Sequence, residues 1–118
     1  MRPGKILVVD DDPEVRMATR DFLSSKGYDV SVAEGGRDAL RQLDSSPADV
    51  VLLDVAMPDM DGLETLKRIV SAHPNVPVII SEATWLEVKD LFETRFLGEV
   101  TVKGKEIPVK IYTVVAGG

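Results

Sequence analysis

The amino-acid sequence predicts an α/β protein built on a doubly wound, largely parallel sheet. Three observations carry that reading. The runs Ile6-Leu7-Val8-Val9, Val50-Val51-Leu52-Leu53 and Val76-Pro77-Val78-Ile79-Ile80 are continuously apolar, as strands covered by helices on both faces should be. Between them apolar residues recur at helical spacing, in the sets Val15, Ala18, Phe22, then Ala39, Leu40, Leu43, then Leu63, Leu66, Ile69, Val70. Strands that alternate with helices of this length imply right-handed crossovers packed on both sides of one sheet.

Local signals place the elements in order. Asp12 is suited to cap a helix whose first position is Pro13, with Glu14 favourable beside the positive helix end. Gly27 is a stop signal, so the first helix spans 13–26 and a strand follows over 28–33. Gly35-Gly36 lacks the spacing and the following lysine of a phosphate loop and reads as a turn before the second helix. Ser45-Ser46-Pro47 ends that helix, and His73-Pro74-Asn75 ends the third. After Ile80 the rhythm changes. A helix over 83–92 carries Trp85, Val88, Leu91 and Phe92 on one side, and two strand-like runs follow at 99–103 and 107–115. Gly104-Lys105-Glu106 is a hairpin-length connection, so those two strands should be antiparallel neighbours. No further helix follows, and the chain has no internal repeat.

Composition bounds the function. A chain of 118 residues fits one compact domain, here 1–118, with a first part at 4–81 and a second at 82–118. No apolar run approaches the roughly 20 residues of a spanning helix. Met1-Arg2-Pro3-Gly4 leads into a strand without a signal-peptide pattern, so a cytoplasmic location is expected. The absence of cysteine removes disulfide, thiolate-metal and cysteine-nucleophile chemistry. A net charge of -6 argues against a nucleic-acid surface. That acidity is uneven: residues 1–82 hold 9 basic and 15 acidic side chains, whereas residues 83–118 hold 5 of each.

The acidic side chains are placed where they can do chemistry. Asp10, Asp11 and Asp12 lie just past the first strand and Asp54 ends the third. In an open α/β sheet the first and third strands flank the point where winding reverses, and ligand sites form outside their carboxyl ends. Carboxylates gathered there repel one another unless a cation lies between them. Oxygen-only ligands favour a hard ion such as Mg²⁺, which would also let a carboxylate oxygen attack phosphorus by neutralising an incoming phosphoryl group.

The stretch Lys5-Ile6-Leu7-Val8-Val9-Asp10-Asp11-Asp12-Pro13-Glu14-Val15-Arg16, the stretch Asp49-Val50-Val51-Leu52-Leu53-Asp54-Val55-Ala56-Met57-Pro58-Asp59-Met60-Asp61-Gly62 and Pro77-Val78-Ile79-Ile80 closely resemble the response-regulator receiver family over about residues 4–81. The resemblance implies a flavodoxin-like sheet of order 2-1-3-4-5, Asp54 as phosphoacceptor, and Mg²⁺ held by Asp10, Asp11, Asp54 and the backbone carbonyl of Ala56. It also implies a sensor histidine kinase or a small phosphodonor as partner, and a phosphoacceptor rather than an enzyme. Met57-Pro58 and Gly62 match the family's loop after the phosphoacceptor.

Receivers continue after the fourth strand with a Thr or Ser, a fifth strand ending in Lys-Pro, and a fifth helix. Here Ser81-Glu82-Ala83 stands where the hydroxyl belongs: one alignment puts Glu82 at the switch position, a one-residue shift puts Ser81 there. From Ser81 to about residue 115 the chain resembles the C-terminal end of class III nucleotide cyclase catalytic domains, without that family's metal-binding aspartates, so no cyclase activity is implied. The two resemblances meet near Ile80-Ser81 and, with the charge discontinuity, point to a chimera, natural or constructed. Glu82 or Ser81 at the hydroxyl position and at best Lys103 for the family lysine imply a compromised switch, or else a scaffold that folds without signalling, and the missing helix implies an uncovered sheet face or terminal hairpin that could pair with another copy. Lys103 has two readings: a phosphate contact replacing the family lysine, if the run at 99–103 lies parallel beside the fourth strand, or an exposed hairpin lysine. His73 is read as a surface residue in a turn, and Trp85 as a core anchor of the added helix.

Overall fold

In a computed structural model of the chain, residues 4–54, 62–100 and 109–117 are described. The element order is β1 (Lys5–Asp10), α1 (Pro13–Ser25), β2 (Asp29–Ala33), α2 (Gly36–Ser45), β3 (Val50–Asp54), α3 (Gly62–Ala72), β4 (Val78–Ser81), α4 (Glu82–Val88), β5 (Phe92–Val100) and β6 (Val109–Gly117). One six-stranded sheet runs β2-β1-β3-β4-β6-β5. Its first four strands are parallel, and β6 joins β4 and β5 antiparallel. This is the expected flavodoxin-like frame closed by a C-terminal antiparallel strand pair.

The local signals explain most boundaries. Asp12 Oδ1 accepts hydrogen bonds from the backbone N–H of Glu14 (2.9 Å) and Val15 (3.4 Å), and Pro13 opens α1. Gly27, at φ +94°, takes the left-handed turn that leads into β2. A Cβ at Gly36 would lie 2.2 Å from Thr65 Oγ1, so glycine there lets α2 approach α3 closely.

Two expectations are corrected after Ile80. The helix expected over 83–92 ends at Val88, and Phe92 already begins β5. Period two wins at the start of that strand: Phe92 is buried and Thr94 half-buried against Trp85, while Glu93 and Arg95 alternate with them and are exposed. One of the two readings of Lys103 requires the run at 99–103 to lie parallel beside β4. Strand β5 does run parallel to β4, but one place further out, because β6 occupies the neighbouring position with Ser81 opposite Ile111. Lys103 and the connection at 104–106 lie outside the described residues, as does most of the loop over 57–62.

The two sheet faces are unequally covered. Leu7, Val9, Val51, Leu53, Val78, Ile80 and Tyr112 pack with Ala39, Leu43, Leu66, Ile69 and Val88 into one core beneath α2, α3 and α4. On the opposite face α1 packs on β1 and β2. Ile6 and Val8 are buried there, but Leu52, Ile79 and Ile111 are only half-buried. Helix α1 buries none of its own residues, and Phe22, read from the sequence as core-facing, is 51% exposed. Helical periodicity marks the apolar stripe of α1 and not what covers it. A groove of about 610 Å³ runs along that side, with Leu52 and Ile79 among its floor residues and Phe22 in its wall.

Trp85 is the expected anchor of the C-terminal part. It stacks on Tyr112 with ring centroids 4.3 Å apart and donates from Nε1 to Thr94 Oγ1 at 2.9 Å. His73 is half-buried rather than simply exposed, with Nε2 lying 3.0 Å from Asp44 Oδ1 at the ends of α3 and α2.

Candidate functional site

Parallel register brings Asp10 opposite Asp54 at the carboxyl ends of β1 and β3, the place where this topology opens a crevice. Asp10 is 5% exposed, and its Oδ1 accepts from the Asp12 backbone N–H at 2.9 Å. Arg16 Nη1 donates to the Asp10 carbonyl at 2.9 Å, which ties the start of α1 to the end of β1. Burial pushes the Asp10 carboxyl up from 3.8 to about 6; the Asp12 N–H opposes that rise, and the charges of Asp54, Asp11 and Asp12 add to it. Among the described residues, the charges that act on the Asp10 carboxyl are the neighbouring carboxylates of Asp54, Asp11 and Asp12.

Ser81, one of the two candidates for the hydroxyl position, faces Asp54. Its Oγ donates to Asp54 Oδ1 at 2.9 Å, whereas the neighbouring Glu82 carboxylate turns to Lys110, 3.7 Å away. Ser81 is also the N-cap of α4, yet its side chain makes no capping bond. Thr84, one turn into that helix and fully buried, puts Oγ1 3.4 Å from Ser81 Oγ. A cavity of about 150 Å³ lies against Asp10, Asp54 and Ser81, and Thr19, Leu52, Ile79, Val100 and Ile111 line both it and the larger groove.

A divalent cation was expected on Asp10, Asp11, Asp54 and the Ala56 carbonyl. Among the described residues no group of three or more acidic or histidine side chains closes into an ion site, and Ala56 lies outside them. The donor chemistry nevertheless fits a hard cation: oxygen ligands only, with Asp10 desolvated and surrounded by like charge.

The sequence did not single out Thr84 or Lys110. A Ser-x-x-Thr spacing at a helix start was visible, but only the direction of Ser81, towards Asp54, gives Thr84 a role. Lys110 becomes relevant once β6, rather than the run at 99–103, is known to lie beside β4.

Comparison with known proteins agrees with this geometry. The model for the response regulator receiver domain matches residues 6–92, and the chain belongs to that family. The match runs eleven residues past the junction that the sequence suggested near Ile80-Ser81. Response regulator MprA of Mycolicibacterium vanbaalenii is 44% identical over 81 residues, covering 69% of this chain and 35% of that protein. The chain thus spans about a third of the length of this relative. Among solved structures, response regulator TrrA from Thermotoga maritima in complex with Mg(2+)-BeF is similar at 36% identity and TM-score 0.59, over 64% of this chain and 65% of that one. A complex of histidine kinase ThkA with TrrA aligns at 36% identity and TM-score 0.60, over 65% and 66% respectively. Among the described residues no helix is long and apolar enough to cross a membrane.

Proposed function

We propose that this chain is a receiver module of two-component signalling that accepts a phosphoryl group on Asp54. The observation that carries the reading is the meeting of Asp10, Asp54 and Ser81 at the strand ends, with the Ser81 hydroxyl already donating to Asp54. A carboxylate oxygen of Asp54 attacks phosphorus, the bond from phosphorus to the donor's leaving atom breaks, and a new P–O bond makes an acyl phosphate. A sensor histidine kinase or a small phosphodonor supplies the group; the ThkA–TrrA complex among the similar structures supports a kinase partner. Asp10, Asp11, Asp54 and the Ala56 carbonyl would hold Mg²⁺, as the metal in the similar TrrA structure supports. When bound, that ion supplies positive charge against the carboxylates and the phosphoryl oxygens. Such a module has no turnover chemistry of its own, and its cysteine-free composition suits the cytoplasm.

Signal output is the compromised step in this reading. In this reading Ser81 serves as the hydroxyl partner, but the chain after α4 forms a strand pair that extends the sheet and leaves the place of the family's last helix to no described element. Two lysines are candidates for the family's phosphate-gripping cation. Lys103 follows Val100, which lines the cavity against Asp54; Lys110 adjoins Ile111, the register partner of Ser81, and is paired with Glu82. The half-open face beside α1 supports self-association of two copies. It also favours a second reading, a chimeric scaffold of receiver frame and cyclase-like tail that folds without signalling. Incubation with acetyl phosphate and Mg²⁺ separates the two by intact mass. The proposal requires a phosphoryl adduct on the wild type that Asp54→Asn lacks, and an unmodified wild type leaves only the scaffold.

A further inference from the structure

We infer that Thr84 is a positioning residue that keeps the Ser81 hydroxyl directed at Asp54; the inference deepens the phosphoacceptor reading and rests on it for its kinetic consequence. Hydrogen counting gives the direction of the bonds. A carboxylate accepts and does not donate, so the single hydroxyl hydrogen of Ser81 is committed to Asp54 Oδ1 at 2.9 Å. The 3.4 Å contact between Ser81 Oγ and Thr84 Oγ1 then has one possible donor, Thr84. The three side chains form a relay, Thr84 to Ser81 to Asp54, in which each bond polarises the next.

Local helix chemistry explains why such a brace is needed. Ser81 is the N-cap of α4, and a serine there ordinarily turns its oxygen onto the backbone N–H two or three residues on. Here it makes no such bond. Thr84 stands at the third helical position, from which a side chain reaches back to the cap residue. Its hydroxyl is fully buried, and Ser81 Oγ is its hydrogen-bond partner among the described residues. Donating to the serine oxygen from that side, Thr84 occupies the lone-pair direction that would otherwise accept from the helix. Without it, Ser81 is released to cap α4 and leaves Asp54.

Two substitutions separate positioning from packing. Thr84→Val keeps the shape and removes the hydroxyl, whereas Thr84→Ser keeps the hydroxyl and removes a buried methyl. In the unmodified full chain, three-bond couplings reporting the Ser81 side-chain torsion should show a single rotamer in wild type and Thr84→Ser, and a changed or averaged one in Thr84→Val. Modification by acetyl phosphate with Mg²⁺ should slow roughly two- to fivefold in Thr84→Val, the size of a long hydrogen bond at the lower end of the usual range, and stay near wild type in Thr84→Ser. In a Ser81→Ala background Thr84→Val should have no further effect on that rate. The opposite ranking, with the valine variant near wild type and the serine variant impaired, would assign Thr84 to packing alone and overturn the inference. An unchanged Ser81 torsion in Thr84→Val would overturn it as well. Because the torsion is read without phosphorylation, a wild type that accepts no phosphoryl group would defeat the phosphoacceptor reading and leave the positioning result standing on its own.

Discussion

Asp10→Asn should stabilise the metal-free protein at neutral pH even though it removes a residue of the proposed metal site. Folding takes the Asp10 carboxyl from its ordinary 3.8 to about 6, and at about 1.4 kcal/mol per pH unit the ionised side chain costs about 3 kcal/mol of folding stability. The sign follows from proton binding. Between pH 4 and pH 6 the folded chain holds more protons than the unfolded one, so stability falls as pH rises through that window and the full penalty is present above it. Asparagine keeps an oxygen for the Asp12 N–H at 2.9 Å but carries no charge against Asp54, Asp11 and Asp12. Urea unfolding in EDTA should therefore show Asp10→Asn more stable than wild type by up to about 3 kcal/mol at pH 8, about 10 °C in melting temperature for a domain of this size, and the advantage should shrink towards zero near pH 4. A variant equal to or weaker than wild type at pH 8, or an advantage independent of pH, would refute the electrostatic reasoning.

Adding Mg²⁺ or Mn²⁺ should raise the melting temperature of the wild type, as any ligand selective for the folded state does. Asp11→Ala should lose that response, and equal melting of the two proteins across a metal titration would remove the metal site from the account. The groove of about 610 Å³ beside α1 and the half-exposed Phe22 should make association concentration-dependent in light scattering. Phe22→Ser should weaken it, and a monomeric mass at high concentration would argue against pairing through this face.

The sequence made the receiver frame legible because two kinds of signal agreed there. Strands covered on both faces are continuously apolar, so β1, β3 and β4 stood out, and the cap at Asp12-Pro13 and the stop at Gly27 fixed α1 closely. Their order alone was enough to bring Asp10 and Asp54 to one crevice. The C-terminal part was harder for physical reasons. Trp85, Val88, Leu91 and Phe92 fit helical spacing, yet Phe92 is buried from a strand; pairing with β6 decided this against the periodicity. Which of two antiparallel strands would sit beside β4 is a tertiary choice, settled partly by the stack of Trp85 on Tyr112, and no local pattern encodes it. The half-open face was read from an absence, the missing last helix. The direction of the Ser81 hydroxyl, towards Asp54, is a tertiary feature that neither alignment carries.

The claim that Asp54 is the phosphoacceptor is tested most directly by locating the modified residue. After reaction with acetyl phosphate and Mg²⁺, an aspartyl phosphate can be reduced with borohydride to homoserine and mapped by fragmentation mass spectrometry. The account predicts homoserine at position 54 in the wild type, and none at that position in unreacted protein. Homoserine at Asp10, Asp11 or another carboxylate, with Asp54 intact, would contradict it.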